Sequence, residues 1–564
     1  MELIDLQKKL KKHKLDAFIV TRNNMFLGQD IREDENIIYQ LTGFSGSAGT
    51  LLIMPEKNIL FVDGRYELQA PQEVNLELID VICTKNISFE NWIKENLSEK
   101  NIGYNPWAHS VKWLKHFPHI NLVADTTFIP LQISAEPTKI FEHEIKFCGK
   151  SREEKISLIT EYLKNNNLNA CFLGSADNIS WLLNLRSDAL PTSPVFRCMA
   201  LIDENTQVKI FSDNIDASDL PSEINIFPFS ELHKHLKKLK NQRLGYVPAS
   251  TSVGFISFAE SYQIKTITMP DICSLTKAIK NEQELTCIRN AHIRDGIAVC
   301  KFLYWLENNW QEKTELDIVD KLHKFRNKQK NYFSESFDTI AAVGSNGAIV
   351  HYSPSEKNNK KLEKGNLLLL DSGAQYFDGT TDITRTIAID TPTKEMCNDF
   401  TLVLKGHISL SKSIFPNKTS GKQLDILARQ FLWQEGKNYN HGTGHGVGCF
   451  LNVHEGPHSI STSSTHCGLE KGMITSIEPG FYLADKYGIR IENLVEICSS
   501  KYPEFLCFKN LTLVPIDKKL INKYLLTDEE KEWLDNYHQE VWKKISPHLT
   551  PNEKKWLYEA CSAL

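Results

Sequence analysis

The segment GNLLLLDSGAQYFDGTTDITRT, residues 365–386, carries Asp371 and Asp382 with turn residues between them. Its unbroken leucine run is typical of a strand that is covered on both faces, so Asp371 is expected where a core strand meets a cleft. The turn residues before Asp382 predict that the two aspartates lie on adjacent antiparallel strands. Either aspartate alone would be an ordinary turn residue, but together with the segments below they indicate a site.

Residues 441–448, HGTGHGVG, place glycines at alternate positions around two histidines. The segment does not match G-x-G-x-x-G, because Val447 occupies the position of the third glycine, and a dinucleotide-binding loop is not expected. The glycines instead let the backbone approach a crowded site, with one histidine as a metal ligand and the other facing a substrate. His454 follows Leu451–Val453, which we predict to be a short strand.

Two glutamates lie in strand-like segments further along the chain. Residues 474–477 are predicted to form a strand that ends at Glu478, before a Pro-Gly turn. In GIRIEN, residues 488–493, alternation predicts one strand with Arg490 and Glu492 on the same face. This pair is compatible with a simple ion pair, but we interpret Glu492 as a bridging metal ligand that Arg490 supports.

Five of these residues form a hard, oxygen-rich ligand set: Asp371, Asp382, His445, Glu478 and Glu492. Four carboxylates carry more negative charge than one divalent ion needs. The set therefore suits two ions of the Mn²⁺ kind that share bridging carboxylates, rather than a thiolate-bound structural zinc. A paired-metal centre generates hydroxide at neutral pH, so the residues predict a metallohydrolase.

Composition limits the domain count, the partners and the compartment. A chain of 564 residues is too long for one core, and about three domains are expected. The net charge is −5, and without a basic face no nucleic-acid partner is expected. The 13 cysteines include no Cys-x-x-Cys pair, which favours a reducing compartment. No apolar run approaches the length of a membrane span, and no secretory signal is recognised, so a cytoplasmic protein is predicted.

The N-terminal half contains two similar units. Leu15–Val20 and Leu168–Leu173 each follow an amphipathic helix, and Asn36–Leu41 is echoed by Asn178–Leu183. A strand–turn–strand then follows in both copies. Strands that alternate with helices predict an α/β arrangement with a mixed sheet.

The last forty residues are predicted to be helical. Thr527 and Thr550 each begin a Thr-x-x-Glu capping box, the second with Pro551 at the first helical position. Aromatic helices of this kind usually pack on their own domain.

Several motifs together resemble one family. They are SFDTIAAVGSNGAIVHYSP (336–354), DSGAQYFDGTTDITRT (371–386), HGTGHGVGCFLNVHEGP (441–457), SIEPGFY (476–482) and GIRIEN (488–493). These motifs are similar to those of the aminopeptidase P family, the Xaa-Pro aminopeptidases of the pita-bread metallopeptidase superfamily, and closest to its long cytosolic form. The resemblance covers nearly the whole chain. It implies an α/β (α+β) protein with two creatinase-like N-terminal domains, 1–145 and 146–277, and a C-terminal pita-bread catalytic domain with a helical extension, 278–564.

The resemblance also implies roles for individual residues. It implies that the five residues of the ligand set hold two divalent ions, with Asp382 and Glu492 bridging them. Mn²⁺ is the expected ion, and Zn²⁺ or Co²⁺ are alternatives. The same resemblance places His351, His441 and His454 around the substrate, and Glu478, His351 and His454 in catalysis.

The implied activity is release of the first residue from peptides that have proline second, through a hydroxide held by the two metal ions, in a homodimer. Two alternatives remain. One is a prolidase-like Xaa-Pro dipeptidase, against which the extra N-terminal domain argues. The other is a catalytically inactive member that only binds, against which the intact ligand set argues.

Overall fold

The computed structural model describes residues 2–28, 31–131, 137–216, 220, 224–464 and 467–564. It separates into two compact units. The N-terminal unit comprises Met1–Glu144, Lys150–Leu190 and Pro194–Cys273, and the C-terminal unit comprises Ile145–Gly149, Pro191–Ser193 and Ser274–Leu564. The division of the N-terminal unit near residue 145 stays a prediction. No helix in the described ranges is both long and apolar enough to cross a membrane.

The first part of the N-terminal unit is a mixed sheet with helices. Its strands are β1 Ala17–Thr21, β2 Thr50–Ile53, β3 Asn58–Val62, β4 Ile79–Cys83, β5 Ile102–Tyr104 and β6 Leu122–Ala124. Its helices are α1 Leu3–His13, α2 Ile37–Thr42, α3 Ala70–Glu73, α4 Phe89–Asn96 and α5 Val111–Leu114. The strand order is β4-β3-β2-β1-β5-β6.

The next part of the chain repeats this arrangement. Its strands are β7 Thr138–Glu142, β8 Ala170–Leu173, β9 Leu185–Ser187, β10 Met199–Asp203, β11 Val208–Phe211, β12 Ile215–Asp216, β13 Ile226–Phe227, β14 Arg243–Tyr246 and β15 Lys265–Thr268. The helices in this stretch of the chain are α6 Ile145–Cys148, α7 Arg152–Asn165, α8 Ala176–Leu182, α9 Leu232–Lys237, α10 Val253–Ser261 and α11 Ile272–Ala278. Of these, α6 and most of α11 belong to the C-terminal unit.

The larger of the two sheets in this second part has the same topology as the first sheet. Its order is β13-β11-β10-β8-β14-β15. In both sheets the first strand pairs antiparallel with the hairpin and parallel with the strand on its other side. The internal repeat predicted from the sequence is confirmed.

The C-terminal unit contains the carboxylate-bearing segments. Its helices are α12 Glu282–Asn309, α13 Glu315–Arg326, α14 Lys394–Ser411, α15 Gly421–Gln434, α16 Asp528–Ile545 and α17 Pro551–Cys561. Its strands are β16 Tyr332–Glu335, β17 Ile340–Val343, β18 Leu367–Ser372, β19 Ala374–Tyr376, β20 Gly379–Thr380, β21 Ile383–Ala388, β22 Ile414–Pro416, β23 Gly444–Gly446, β24 Glu455–Ile460, β25 Ile474–Ile477, β26 Gly480–Leu483, β27 Tyr487–Arg490, β28 Asn493–Ser499 and β29 Phe505–Asn510.

The leucine strand β18 lies at the centre of one sheet of this unit. It pairs antiparallel with β17 on one side and β21 on the other. Its leucines are buried, and a shared core contains Leu368 and Leu370 together with Phe302 of α12 and Phe400 of α14. Coverage on both faces is what the unbroken apolar run predicted.

Two strand predictions in this unit are wrong. Residues 488–493 form the end of β27 and the start of β28, which belong to different sheets. The chain leaves one sheet at Ile491, whose N–H donates to Pro479 O, and Glu492 N–H donates to Thr384 O. Leu451–Val453 forms no strand, because Thr380 and Gln375 side chains take up the backbone groups of Leu451.

The helical extension forms as predicted. Helices α16 and α17 begin after Thr527 and Thr550, and both capping boxes are present. Leu534, Tyr537 and Val541 of α16 are buried in the core that also contains the β18 leucines. The extension therefore packs on the unit that carries the candidate site.

Candidate metal centre

Two strands of one sheet bring the aspartates together. Asp371 is on β18 and lies opposite Thr384 of β21. Asp382 comes directly before β21, so the two carboxylates meet at the same end of an antiparallel pair. The residues between them form a separate hairpin, β19 and β20. Both aspartates are buried.

His445 reaches the carboxylates from another sheet. Its Nε2 lies 3.5 Å from Asp382 Oδ2 and 3.6 Å from Glu478 Oε1. Its Nδ1 lies 2.9 Å from the carbonyl oxygen of Gly446. A carbonyl only accepts, so Nδ1 carries a proton, and Nε2 is the ring nitrogen that faces the carboxylates. This orientation leaves Nε2 as the atom that could bind a metal ion.

Three residues offer ligand atoms close together. Atoms of Asp382, His445 and Glu492 all lie within 4.8 Å of one another. In addition, Asp371 Oδ1, Asp382 Oδ1 and Glu492 Oε1 are buried and accept no hydrogen bond within the described residues. A buried carboxylate oxygen without a donor is costly. A bound cation removes that cost, so the donor set fits divalent metal ions.

The electrostatics of the cluster lead to the same conclusion. Burial raises the pKa of Asp382, and the negative charges of Asp371 and Glu478 raise it further. Burial also raises the pKa of Glu492, with Asp382 and Glu478 adding to the shift. Burial raises the pKa of Glu478, while His445 and Arg490 oppose the shift. Carboxylates that repel one another in a buried place favour a cation between them.

Arg490, which was predicted to support Glu492, instead donates to Asp371 from outside the cluster. Its Nη2 donates to Asp371 Oδ2 at 2.5 Å, and its Nη1 donates to the Tyr482 hydroxyl at 2.6 Å. The Tyr482 hydroxyl in turn lies 2.8 Å from His441 Nε2. His441 Nδ1 lies 2.7 Å from Gly442 O and therefore carries the proton, so Tyr482 donates to Nε2. A continuous path of hydrogen bonds joins Asp371 to His441.

Family profiles match almost the whole chain. Metallopeptidase family M24 matches residues 286–498, and the C-terminal region of peptidase M24 matches 504–564. The creatinase/prolidase N-terminal domain matches twice, at 3–133 and 132–284.

Similar proteins match over their full length. The Xaa-Pro aminopeptidase 1 of Dictyostelium discoideum is 36% identical and covers 97% of this chain and 94% of its own. A probable Xaa-Pro aminopeptidase P of Laccaria bicolor is 35% identical over 100% of this chain and 93% of its own. This chain belongs to the aminopeptidase P family.

Solved structures agree with the assignment of the chain to this family. The structure of X-prolyl aminopeptidase from Caenorhabditis elegans, described as a cytosolic enzyme with a di-nuclear active site, matches with a TM-score of 0.92 and 31% identity over 100% of both chains. The prolidase of Pyrococcus horikoshii OT3 matches with a TM-score of 0.51 and 26% identity, over 64% of this chain and 99% of its own. Membership of the aminopeptidase P family makes the chain a metallopeptidase, and hence a hydrolase, with creatinase-like N-terminal domains and an M24 domain.

The other predicted site histidines of this aminopeptidase P family member lie at different distances from the carboxylates. The His454 ring is centred 4.4 Å from the His445 ring, nearly perpendicular to it. His441 is joined to the cluster through Tyr482 and Arg490. His351 is half-buried in the turn after residues 344–348, and Arg490 Nη1 lies 3.4 Å from the carbonyl of its neighbour Val350.

Some contributing residues of this aminopeptidase P domain were not identified from the sequence. Thr384 donates to Glu492 Oε2 at 2.9 Å, and Ser476 donates to Glu478 Oε1 at 3.3 Å. Thr384 and Ser476 each lie two residues from an acidic member of the set. Because alternate residues of a strand share a face, that spacing could have identified both. Tyr482 has no such signal, since its partners lie on other segments.

Proposed function

We propose that this chain is a metal-dependent aminopeptidase that releases the N-terminal residue from peptides with proline in the second position. The proposal rests chiefly on the full-length likeness to the C. elegans X-prolyl aminopeptidase, whose active site is described as di-nuclear. The buried carboxylate oxygens without donors support it independently.

The proposed metal ligands are the five residues of the predicted set: Asp371, Asp382, His445, Glu478 and Glu492. Asp382 and Glu492 are proposed as the bridging pair, because one oxygen of each lies within 4.8 Å of the other and of a His445 ring nitrogen. We expect Mn²⁺, with Zn²⁺ and Co²⁺ as alternatives, since oxygen-rich sites suit hard cations. When bound, two such ions would lower the pKa of a water molecule and polarise the scissile carbonyl.

Glu478 is proposed as the proton carrier. Its Oε1 lies beside His445 Nε2 and accepts from Ser476, so the carboxylate is fixed at the cluster. A carboxylate held there is suited to take a proton from the attacking water and to return it. The proline nitrogen has no N–H of its own before cleavage, so the leaving group needs that proton.

The histidines are proposed to act on the substrate. His454, whose ring lies beside that of His445, and His351 are the proposed donors to the carbonyl oxygen on which negative charge develops. His441 is proposed to contact the peptide, held in one tautomer by Tyr482 and Gly442. Arg490 is proposed to fix Asp371.

Three statements about the whole protein are also proposals. We propose a domain division at 1–145, 146–277 and 278–564, which the profile matches support. We propose a cytoplasmic location, supported by the cytosolic relative and by free cysteines. We propose a homodimer, which sedimentation of the purified chain would test.

Mass spectrometry of peptide mixtures tests the activity directly. After chelation and on re-addition of Mn²⁺, we expect Mn²⁺-dependent loss of the first residue from a tripeptide Xaa-Pro-Pro and none from Xaa-Ala-Pro. Cleavage of an Xaa-Pro dipeptide without cleavage of the tripeptide would indicate a prolidase. No cleavage of any peptide, with no stoichiometric metal bound, would indicate a binding protein.

A further inference from the structure

Arg385 is a buried arginine close to the carboxylate cluster. It lies on β21 and makes all of its hydrogen bonds within the C-terminal unit. Its acceptors are the carbonyls of Thr384 (2.9 Å), Glu492 (2.7 Å), Val514 (2.8 Å) and Pro515 (3.1 Å), the side-chain oxygen of Asn493 (2.8 Å) and the hydroxyl of Tyr537 (2.8 Å).

This set of acceptors differs from those of the other buried arginines of the unit. Arg326 bonds Asp295 and Glu335, Arg429 bonds Asp425, and Arg490 bonds Asp371. Among the residues that the structure describes, no carboxylate accepts from Arg385. An unpaired buried charge is costly, so this guanidinium depends on its six neutral acceptors, two of which belong to Glu492 and the adjacent Asn493.

One nitrogen of Arg385 joins two segments that carry the centre. Nη1 donates both to Thr384 O and to Glu492 O. Thr384 O also accepts from Glu492 N–H at 3.1 Å. The contacts fix the backbone of Glu492 at the break between β27 and β28, where no sheet ladder holds it.

The other side of the guanidinium contacts residues 504–564, which we call the C-terminal extension. The Tyr537 hydroxyl of α16 accepts from Arg385 Nη2 and donates to Val514 O at 2.7 Å. The Tyr537 ring stacks on Trp533, with centroids 5.7 Å apart. Tyr537 and Val514 both lie within the matched C-terminal region, 504–564.

We propose that Arg385 and Tyr537 are positioning residues, through which the C-terminal extension holds Glu492 in place for metal binding. Neither residue contacts the substrate or the metal in this proposal. It rests on the proposed function of Glu492 as a ligand. The C-terminal extension thereby becomes a determinant of metal affinity. Loss of the Tyr537 hydroxyl in α16 would weaken metal binding although Tyr537 is not a ligand.

Tyr537→Phe removes the hydroxyl and leaves the ring in its stack. Residues that orient metal ligands typically contribute about 10- to 100-fold to metal affinity or activity. We expect the Kd for Mn²⁺, measured by calorimetry on the chelated full-length chain, to rise about tenfold. We also expect kcat to fall by a similar factor while KM stays within about twofold. Arg385→Lys keeps the charge but loses the fork, and its Mn²⁺ affinity should fall further.

Tyr376→Phe is the matched control. Tyr376 is a buried tyrosine of the same unit, and its hydroxyl donates to Asp295 at 3.0 Å, away from Glu492. We expect it to lower Tm without changing the Kd for Mn²⁺. An unchanged Kd in Tyr537→Phe, with a fall in Tm like that of the control, would overturn the proposal. If Arg385→Lys fails to fold, the two tyrosine variants alone decide.

The calorimetric readout separates this proposal from the proposed function. Mn²⁺ binding is measured without any peptide. A wild-type chain that binds Mn²⁺ but cleaves no peptide would therefore contradict only the proposed peptidase activity. If the wild-type chain cleaves Xaa-Pro peptides and Tyr537→Phe has a normal Kd for Mn²⁺ and a normal kcat, only the proposed role of Arg385 and Tyr537 is contradicted.

Discussion

Both units bury carboxylates, but they satisfy them differently. In the N-terminal unit, Glu35 is buried and its oxygens accept from Arg197 at 2.7 Å and from Asn24 at 2.7 Å. In the C-terminal unit, Asp371, Asp382 and Glu492 are equally buried, yet each has one oxygen without a donor in the described residues. Burial of charge is therefore common to both units, and what distinguishes the centre is that three such oxygens belong to one cluster of carboxylates.

The largest effect is expected at Glu478. Removing its charge in Glu478→Gln takes away the proposed proton carrier, and we expect kcat to fall about 10³-fold, in the range of general acid–base catalysis. Circular dichroism and Tm should show an intact fold. Turnover close to wild type would show that Glu478 is not the proton carrier. It would also weaken the distinction between the structural carboxylates and those of the candidate metal centre.

A smaller effect, of another kind, is expected at Glu35. Glu35→Gln leaves Arg197 without its charged partner, and breaking a buried pair costs about 3 kcal/mol. We expect lower stability of the N-terminal unit in denaturant, with kcat within about twofold of wild type because the pair is structural. A fall in kcat comparable to that of Glu478→Gln, at saturating Mn²⁺, would contradict the distinction between satisfied and unsatisfied carboxylates.

The smallest effect is expected on the pH dependence of stability, through protonation of His109. Burial lowers the pKa of His109 from 6.5 to about 4, and its Nδ1 donates to Asn105 O at 2.8 Å. Below pH 6.5 the unfolded chain binds a proton that the folded chain does not, so stability falls as pH falls from 6.5 toward 4. From pH 7 to pH 5 this histidine should account for about 2 kcal/mol of lost stability.

His109→Gln should flatten that pH dependence in the N-terminal unit. Hydrogen exchange of peptides covering residues 102–117 at pH 5 and pH 7, compared with His119→Gln at an exposed position, provides the measurement. If the stability measured by hydrogen exchange changes equally between pH 7 and pH 5 in wild type and His109→Gln, His109 is not held neutral by the fold.

Local sequence patterns predicted local structure well. The helix–strand order of the two N-terminal copies predicted two similar units with a mixed sheet, and the structure shows two sheets of equal topology. The capping boxes at Thr527 and Thr550 predicted where α16 and α17 begin. These patterns depend on nearby residues, such as a capping side chain three positions from its partner, so they can be recognised within one segment.

Features that depend on distant segments could not be predicted. Alternation in residues 488–493 predicted one strand, but the chain changes sheets at Ile491 because Pro479 and Thr384 accept its backbone N–H groups. The motifs brought Asp371, Asp382, His445, Glu478 and Glu492 forward as ligands, and their roles stay predictions. Arg385 was not identified from the sequence, because its hydrogen-bond acceptors lie on distant segments, at Glu492 and in the C-terminal extension.

The three residues Pro191–Ser193 have a consequence for synthesis of the chain. They belong to the C-terminal unit, where Ser193 Oγ donates to Asn452 at 2.6 Å and Thr192 O accepts from Gln375, close to His454 in sequence. They leave the ribosome before Gln375 and Asn452, and domains generally fold in order of emergence. A fragment starting at Ser274 would lack the hydrogen bonds of Thr192 and Ser193, so it would omit part of its own folding unit.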